Sequence, residues 1–201
     1  MKFSSYEETE NVFFSKGFII NMNLEVLDLE IRSCTLCDLY RGRILAVPGE
    51  GPSHAEIMLI GEAPGDEEDR TGRPFIGRAG KLLNLALNRA GLSREEVYIT
   101  SVIKCRPPKN RKPNAREVRC CLPYLWSQME LINSRLVCLM GNVAIQAVLD
   151  MHGVTELHGK IFQNRYLTTF HPAAVLRNRN LMGPFISDLS KLREPQRGKS
   201  H

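Results

Sequence analysis

Three groups of residues in this chain are suited to chemistry. The stretch GEAPGDEEDRTGRPFIGRAGKLL, from Gly61 to Leu83, gathers Glu62, Asp66, Glu67, Glu68 and Asp69 with the aromatic Phe75 among repeated Gly and Pro. A carboxylate there can accept a proton or face a developing cation, while glycines let a ligand approach the backbone closely. A histidine, His171, stands in TFHPAAVLRN with Arg177 and Arg179 shortly after it. Imidazole is the side chain whose proton is most easily placed or withheld near neutral pH. Cysteines occupy positions 34, 37, 105, 120, 121 and 138.

Cys34 and Cys37 form a C-x-x-C, and Cys105 and Cys121 flank a basic, proline-rich segment. Nothing in the N-terminal residues reads as a secretory signal and no apolar run is long enough for a membrane span, so a cytoplasmic chain is expected. Disulfides are disfavoured there. Four thiolates at loop and helix-end positions would then enclose a [4Fe-4S] cluster or a tetrahedral zinc. Spacing chooses neither iron over zinc nor Cys120 over Cys121; Cys138 reads as a core residue.

A phosphate-binding P-loop is excluded. Gly72 and Gly77 have the required separation, but Arg78 and Ala79 stand where Lys and Ser or Thr are needed. Gly77 and the amides after it can still cradle a phosphate of a nucleic acid. The chain carries 27 Lys and Arg against 22 Asp and Glu, for a net charge of +5. Between Lys104 and Arg119 lie seven basic residues and one Glu, so that segment holds more positive charge than the chain as a whole. A polyanion is the partner such a segment suits.

The elements that must position these groups alternate. Apolar runs at 57–61, 97–103, 136–140 and 166–170 read as buried strands, and periodic stretches at 24–33, 80–90, 114–132, 142–151 and 184–192 as helices. Gly91 and Asn114 are the expected C-terminal and N-terminal caps of their helices. Alternation predicts an α/β three-layer sandwich with a central four-stranded, mainly parallel sheet. Glu62, Ser101, Gly141 and His171 follow their strands and should meet at one sheet edge, where open α/β sheets bind ligands. A single domain over 22–195 is expected, with an extension at 1–21 and a tail at 196–201.

The motifs GEAPGDEEDRTGRPFIGRAGKLL, YITSVIKCRPPKNRKP, Cys121-Leu122-Pro123-Tyr124-Leu125 and TFHPAAVLRN resemble, in this order, those of the family 4 (type A, iron-sulfur) uracil-DNA glycosylases. The resemblance spans about residues 25 to 193. It implies a monofunctional enzyme that removes uracil from single- or double-stranded DNA, expected as a monomer, with a structural [4Fe-4S] cluster on Cys34, Cys37, Cys105 and Cys121. It also implies catalytic roles for Glu62, His171 and, as a second pocket carboxylate, Glu68, with backbone contact at Ala63 and base stacking on Phe75. DNA contacts are implied for Gly77, Arg78, Lys104, Arg106, Ala174, Leu176 and Arg177, the last three in a minor-groove loop at 172–178. Ser101 departs from the family, which usually has Asn there to read the uracil edge. A hydroxyl is shorter and offers fewer directed groups than an amide. Relaxed or shifted base specificity is one consequence; a non-catalytic iron-sulfur DNA-binding protein and a zinc-stabilised nucleotide-binding module are rival readings.

Overall fold

In the computed structural model, residues 23–193 are described; the expected extension at 1–21 and tail at 196–201 lie outside them. Helix α1 (Leu24–Ser33) opens the described chain, capped by the Asn23 side chain, which accepts from the Val26 amide at 2.9 Å. There follow β1 (Ile57–Gly61), α2 (Asp66–Thr71), α3 (Arg78–Arg89), β2 (Val97–Ser101), α4 (Ala115–Ile132), β3 (Leu136–Met140) and α5 (Asn142–Leu149). The chain continues through α6 (Val154–Leu157), β4 (Ile161–Phe162), β5 (Tyr166–Thr169), α7 (Pro172–Arg177) and α8 (Met182–Ser190).

The strands form one sheet in the order β2-β1-β3-β5-β4, parallel except for β4, which runs antiparallel to β5. The expected α/β class is therefore present, with a fifth strand beyond the four anticipated. Two residues are too few to show a periodicity, and β4 is made by its turn: Gln163 and Asn164 both take positive φ and return the chain onto β5.

Alternation along the strands builds the three layers. Met58 and Ile60 of β1, with Val137 and Leu139 of β3, pack on one face against Leu27 and Ile31 of α1, Leu125 and Met129 of α4, and Ala144 and Ile145 of α5. Ile57 and Leu59, with Leu136, Cys138 and Met140, face the other way onto Leu83 and Leu87 of α3 and Phe185 and Leu189 of α8. Both faces are buried, which is why the strands read as continuous apolar runs. Cys138 is fully buried in the second core, the position expected of it.

Two segments expected as loops are helical. Asp66–Thr71 winds into α2 because its first turn is acidic and Glu68 turns back to accept from the Gly65 amide at 3.0 Å. Pro172–Arg177 winds into α7 because Pro172 sits in its first turn with φ already set and helix-tolerant residues follow. Among the described residues, no helix is long and apolar enough to cross a membrane.

Candidate active site and cysteine pocket

Strand ends and the segments leaving them line one cleft of about 680 Å³. Glu62 and Ala63 enter it from β1, Ser101 from β2, and His171, Leu176 and Arg177 from the turn after β5 and from α7. Phe75, Gly77 and Arg78 enter from the α2–α3 connection. The expected convergence at one sheet edge is present. Gly141 lies behind it: with φ of 87° it passes so close to His171 that an added Cβ would stand 2.9 Å from the histidine Cβ.

The imidazole of His171 has a defined tautomer. Nδ1 lies 3.2 Å from the Ala173 amide, which must donate to it, so Nδ1 is unprotonated and the ring proton resides on Nε2. That Nε2 is buried and has no hydrogen-bond partner among the described residues. It lies over Gly61, beside Phe75, whose ring centroid is 5.8 Å from that of His171. Burial pushes the His171 pKa down to about 4, and the positive charge of Arg177 pushes the same way. The ring is thus a neutral donor whose Nε2 proton is not engaged by any described residue.

Glu62 is half-buried, and that burial raises its carboxyl pKa while the charges of Lys112 and Arg177 act against the rise. Glu68 differs from Glu62. Its Oε2 accepts from Gly65, and its Oε1 accepts from Ile76 and Gly77 at 3.0 and 2.9 Å. Both oxygens hold backbone, so this cleft-lining carboxylate shapes the loop carrying Phe75. Phe75 itself has φ of 50°, the left-handed region.

Lys104, expected at the DNA surface, is instead fully buried. Its Nζ donates to Thr100 Oγ1 and the Ser101 carbonyl, both at 2.7 Å, and to Gln128 Oε1 at 2.6 Å. A side chain so held reaches no phosphate; the run of basic residues hid that the first of them points inward as β2 ends. Arg106 is ion-paired to Asp66 of α2, and Arg111 to Glu117 of α4. The Ala174 amide donates to the His171 carbonyl at 2.8 Å. Asp66 and Glu67 of the acidic group line the cleft too, and Pro107, Asn110 and Arg111 do so without a site role having been expected of them. Their presence in the proline-rich and acidic segments was the available signal.

A second, smaller pocket is lined by Cys34, Cys37, Cys105, Cys120 and Cys121, with Arg43, Lys104 and Tyr124. Cys34 ends α1, Cys105 follows β2, and Cys121 lies in α4. Arg43 Nη1 donates to Cys105 Sγ at 3.0 Å, while Cys120 Sγ donates to the Leu36 carbonyl at 3.4 Å. Cys37, Cys105 and Cys121 are buried; Cys34 and Cys120 are partly exposed. Among the described residues, no three Cys, His, Asp or Glu side chains close around a single ion.

Comparison with known proteins agrees with this geometry. The family model of the Uracil DNA glycosylase superfamily matches residues 48–192. A type-4 uracil-DNA glycosylase of Pyrobaculum aerophilum is 43% identical over 181 residues, covering 84% of this chain and 92% of the relative. That of Saccharolobus solfataricus is 42% identical over 185 residues, covering 86% of each. That of Thermotoga maritima is 40% identical over 163 residues, 78% of this chain and 85% of the relative. Matched through every strand that builds the cleft, and similar over most of its length to type-4 members, the chain belongs to the uracil DNA glycosylase superfamily.

Proposed function

We propose that this protein hydrolyses the N-glycosidic bond of uracil in DNA and leaves an abasic site, the first step of base excision repair. The carrying observation is the unpartnered, protonated Nε2 of His171 in a cleft shared with Glu62 and Phe75. A base inside a duplex is out of reach, so the uracil nucleotide is extruded into the cleft and stacks on Phe75. The bond from C1′ to N1 breaks with both electrons passing to uracil, whose anion spreads to O2. His171 Nε2–H donates to that oxygen where charge grows. The Glu62 carboxylate faces the cationic sugar and takes a proton from the water whose oxygen bonds to C1′. Ala63 offers backbone to the base, and Ser101 reads its edge. Gly77, Arg78, Leu176 and Arg177 border the cleft and are assigned to the DNA backbone and groove, with Ala174 supporting them from α7.

We assign the cysteine pocket to a [4Fe-4S] cluster held by Cys34, Cys37, Cys105 and Cys121. The donor set fits: thiols from three segments, Cys34 and Cys37 sharing one, line a single pocket. The Cys120 thiol is engaged by the Leu36 carbonyl, which supports Cys121 as the fourth ligand. When bound, the cluster supplies structural cross-linking between α1, the end of β2 and α4. We further infer a single domain over 22–195 acting as a monomer in the cytoplasm.

The test is base release from oligonucleotides containing one uracil, single-stranded or paired with A or G, by brown protein purified without oxygen. Activity is expected on uracil, with H171A and E62Q each lowering the rate by about 10²–10³-fold. DNA binding without release of any base would reject the enzymatic reading in favour of a DNA-binding protein.

A further inference from the structure

Phe75 occupies a backbone conformation that bulky residues avoid and that persists only where the surroundings impose it. Two neighbours explain part of it. Glu68 holds the amides of Ile76 and Gly77 on one side, and Gly80 gives way on the other, since a Cβ there would fall 1.8 Å from the Phe75 carbonyl oxygen. The third neighbour is Arg94, at the entrance to β2. Its Nη2 donates to the Pro74 carbonyl at 2.6 Å and its Nη1 to the Phe75 carbonyl at 3.0 Å. The guanidinium is itself oriented by Asn84 Oδ1 at 3.3 Å and by Glu50, which Arg73 also grips. Its side chain is only 14% exposed.

Consecutive carbonyls of an extended chain point in opposite directions, so one planar fork can take both only where the backbone has turned. We propose that Arg94 is a positioning residue of this enzyme: by clamping the Pro74 and Phe75 carbonyls it fixes the left-handed turn and so the orientation of the Phe75 ring against His171. The proposal rests on the reading of Phe75 as the surface on which the extruded base stacks. Arg94 touches neither base nor sugar, and its effect runs through that ring alone.

The experiment is a double-mutant cycle of R94M and F75A, read as kcat and KM for uracil excision, with melting temperature followed in parallel. R94M alone should lower kcat/KM by roughly 10- to 100-fold. In the F75A background the same change should alter it by no more than about twofold, because the ring through which Arg94 acts is gone. Losses that simply add would overturn the proposal. R94K, which keeps a charge but offers no fork, should fall between R94M and the native protein; it also serves if R94M fails to fold. A fluorine label on the Phe75 ring gives a readout independent of catalysis. Its NMR resonance should be sharp in the native protein and shifted or broadened in R94K and R94M. An unchanged resonance refutes the clamp even if uracil excision stands, whereas a native protein that releases no uracil fails the functional reading and leaves the resonance to judge Arg94.

Discussion

His171 combines two properties that free imidazole lacks: one tautomer and resistance to protonation. The Ala173 amide selects the tautomer and burial supplies the resistance, holding its pKa at about 4. This has a consequence for stability. A folded value below the ordinary 6.5 means that the unfolded chain binds more protons in the intervening window. The contribution is complete above about pH 6.5 and is lost as pH falls toward 4, amounting to ~3 kcal/mol. The native protein should therefore lose melting temperature relative to H171Q as pH falls from 7 to 4, and parallel curves would contradict it. Glu62 has the opposite displacement, upward through burial. Since only its carboxylate can accept a proton, the acid limb of the rate profile should lie above the ordinary carboxylate range and vanish in E62Q. Ser101 is buried at the cleft with a single hydroxyl to read the base. With weak reading, the cost of extrusion counts for more, so excision from U·A should fall below that from U·G. S101N should raise activity on uracil; equal native rates on the two pairs would reject the argument.

At the level of elements, the cleft depends on glycines where strands and helices approach. Gly61 ends β1 beneath Phe75, and an added Cβ would lie 2.4 Å from the ring Cζ and 3.5 Å from His171 Nε2. G61A must therefore displace the ring. It should lower uracil excision by tenfold or more, with a stability loss of about 1–3 kcal/mol, and leave affinity for uracil-free DNA unchanged. Native excision by G61A would show that the ring has room to spare. The short helices α2 and α7 matter for a similar reason. Each follows a strand end, and each fixes a functional side chain against backbone: Glu68 of α2 accepts from the Gly65, Ile76 and Gly77 amides, and His171 caps α7. Helix α2 was unrecognised because six residues with no apolar face carry no periodic signal. Helix α7 was masked by its proline and by the resemblance, which suggested a loop.

On the scale of the whole molecule, the cysteine pocket and the cleft share one strand. Ser101 ends β2 and Cys105 lies just beyond it, and Lys104 between them is bonded to the Ser101 carbonyl and lines the cysteine pocket. Loss of a cluster ligand should thus disturb more than colour. C105S is expected to lose its visible absorption and to melt roughly 10 °C lower, a drop of several kcal/mol. Unchanged colour would exclude Cys105 as a ligand. DNA affinity should come from the exposed cations Arg78 and Arg177, which line the cleft, and Lys112, whose charge reaches Glu62. Each phosphate contact steepens the dependence of log K on log salt by about 0.9 on duplex DNA. R78A and R177A should each make the slope shallower by that amount, while K104M should not, since Lys104 reaches no phosphate.

The amino-acid sequence alone determined the layered α/β class, the strands that meet at the cleft and several of the side chains that line it. Buried apolar runs and turn-forming residues are local signals, and several long motifs in fixed order leave little freedom in what they build. Folding in three dimensions decided what each polar group is doing. Whether Glu68 faces substrate or backbone, whether Lys104 meets phosphate or three internal oxygens, and which nitrogen of His171 carries the proton all depend on neighbours far away in the chain. Arg94 shows this most clearly, because a cation twenty residues beyond Pro74 carries no local mark of its hold on the two carbonyls that aim Phe75.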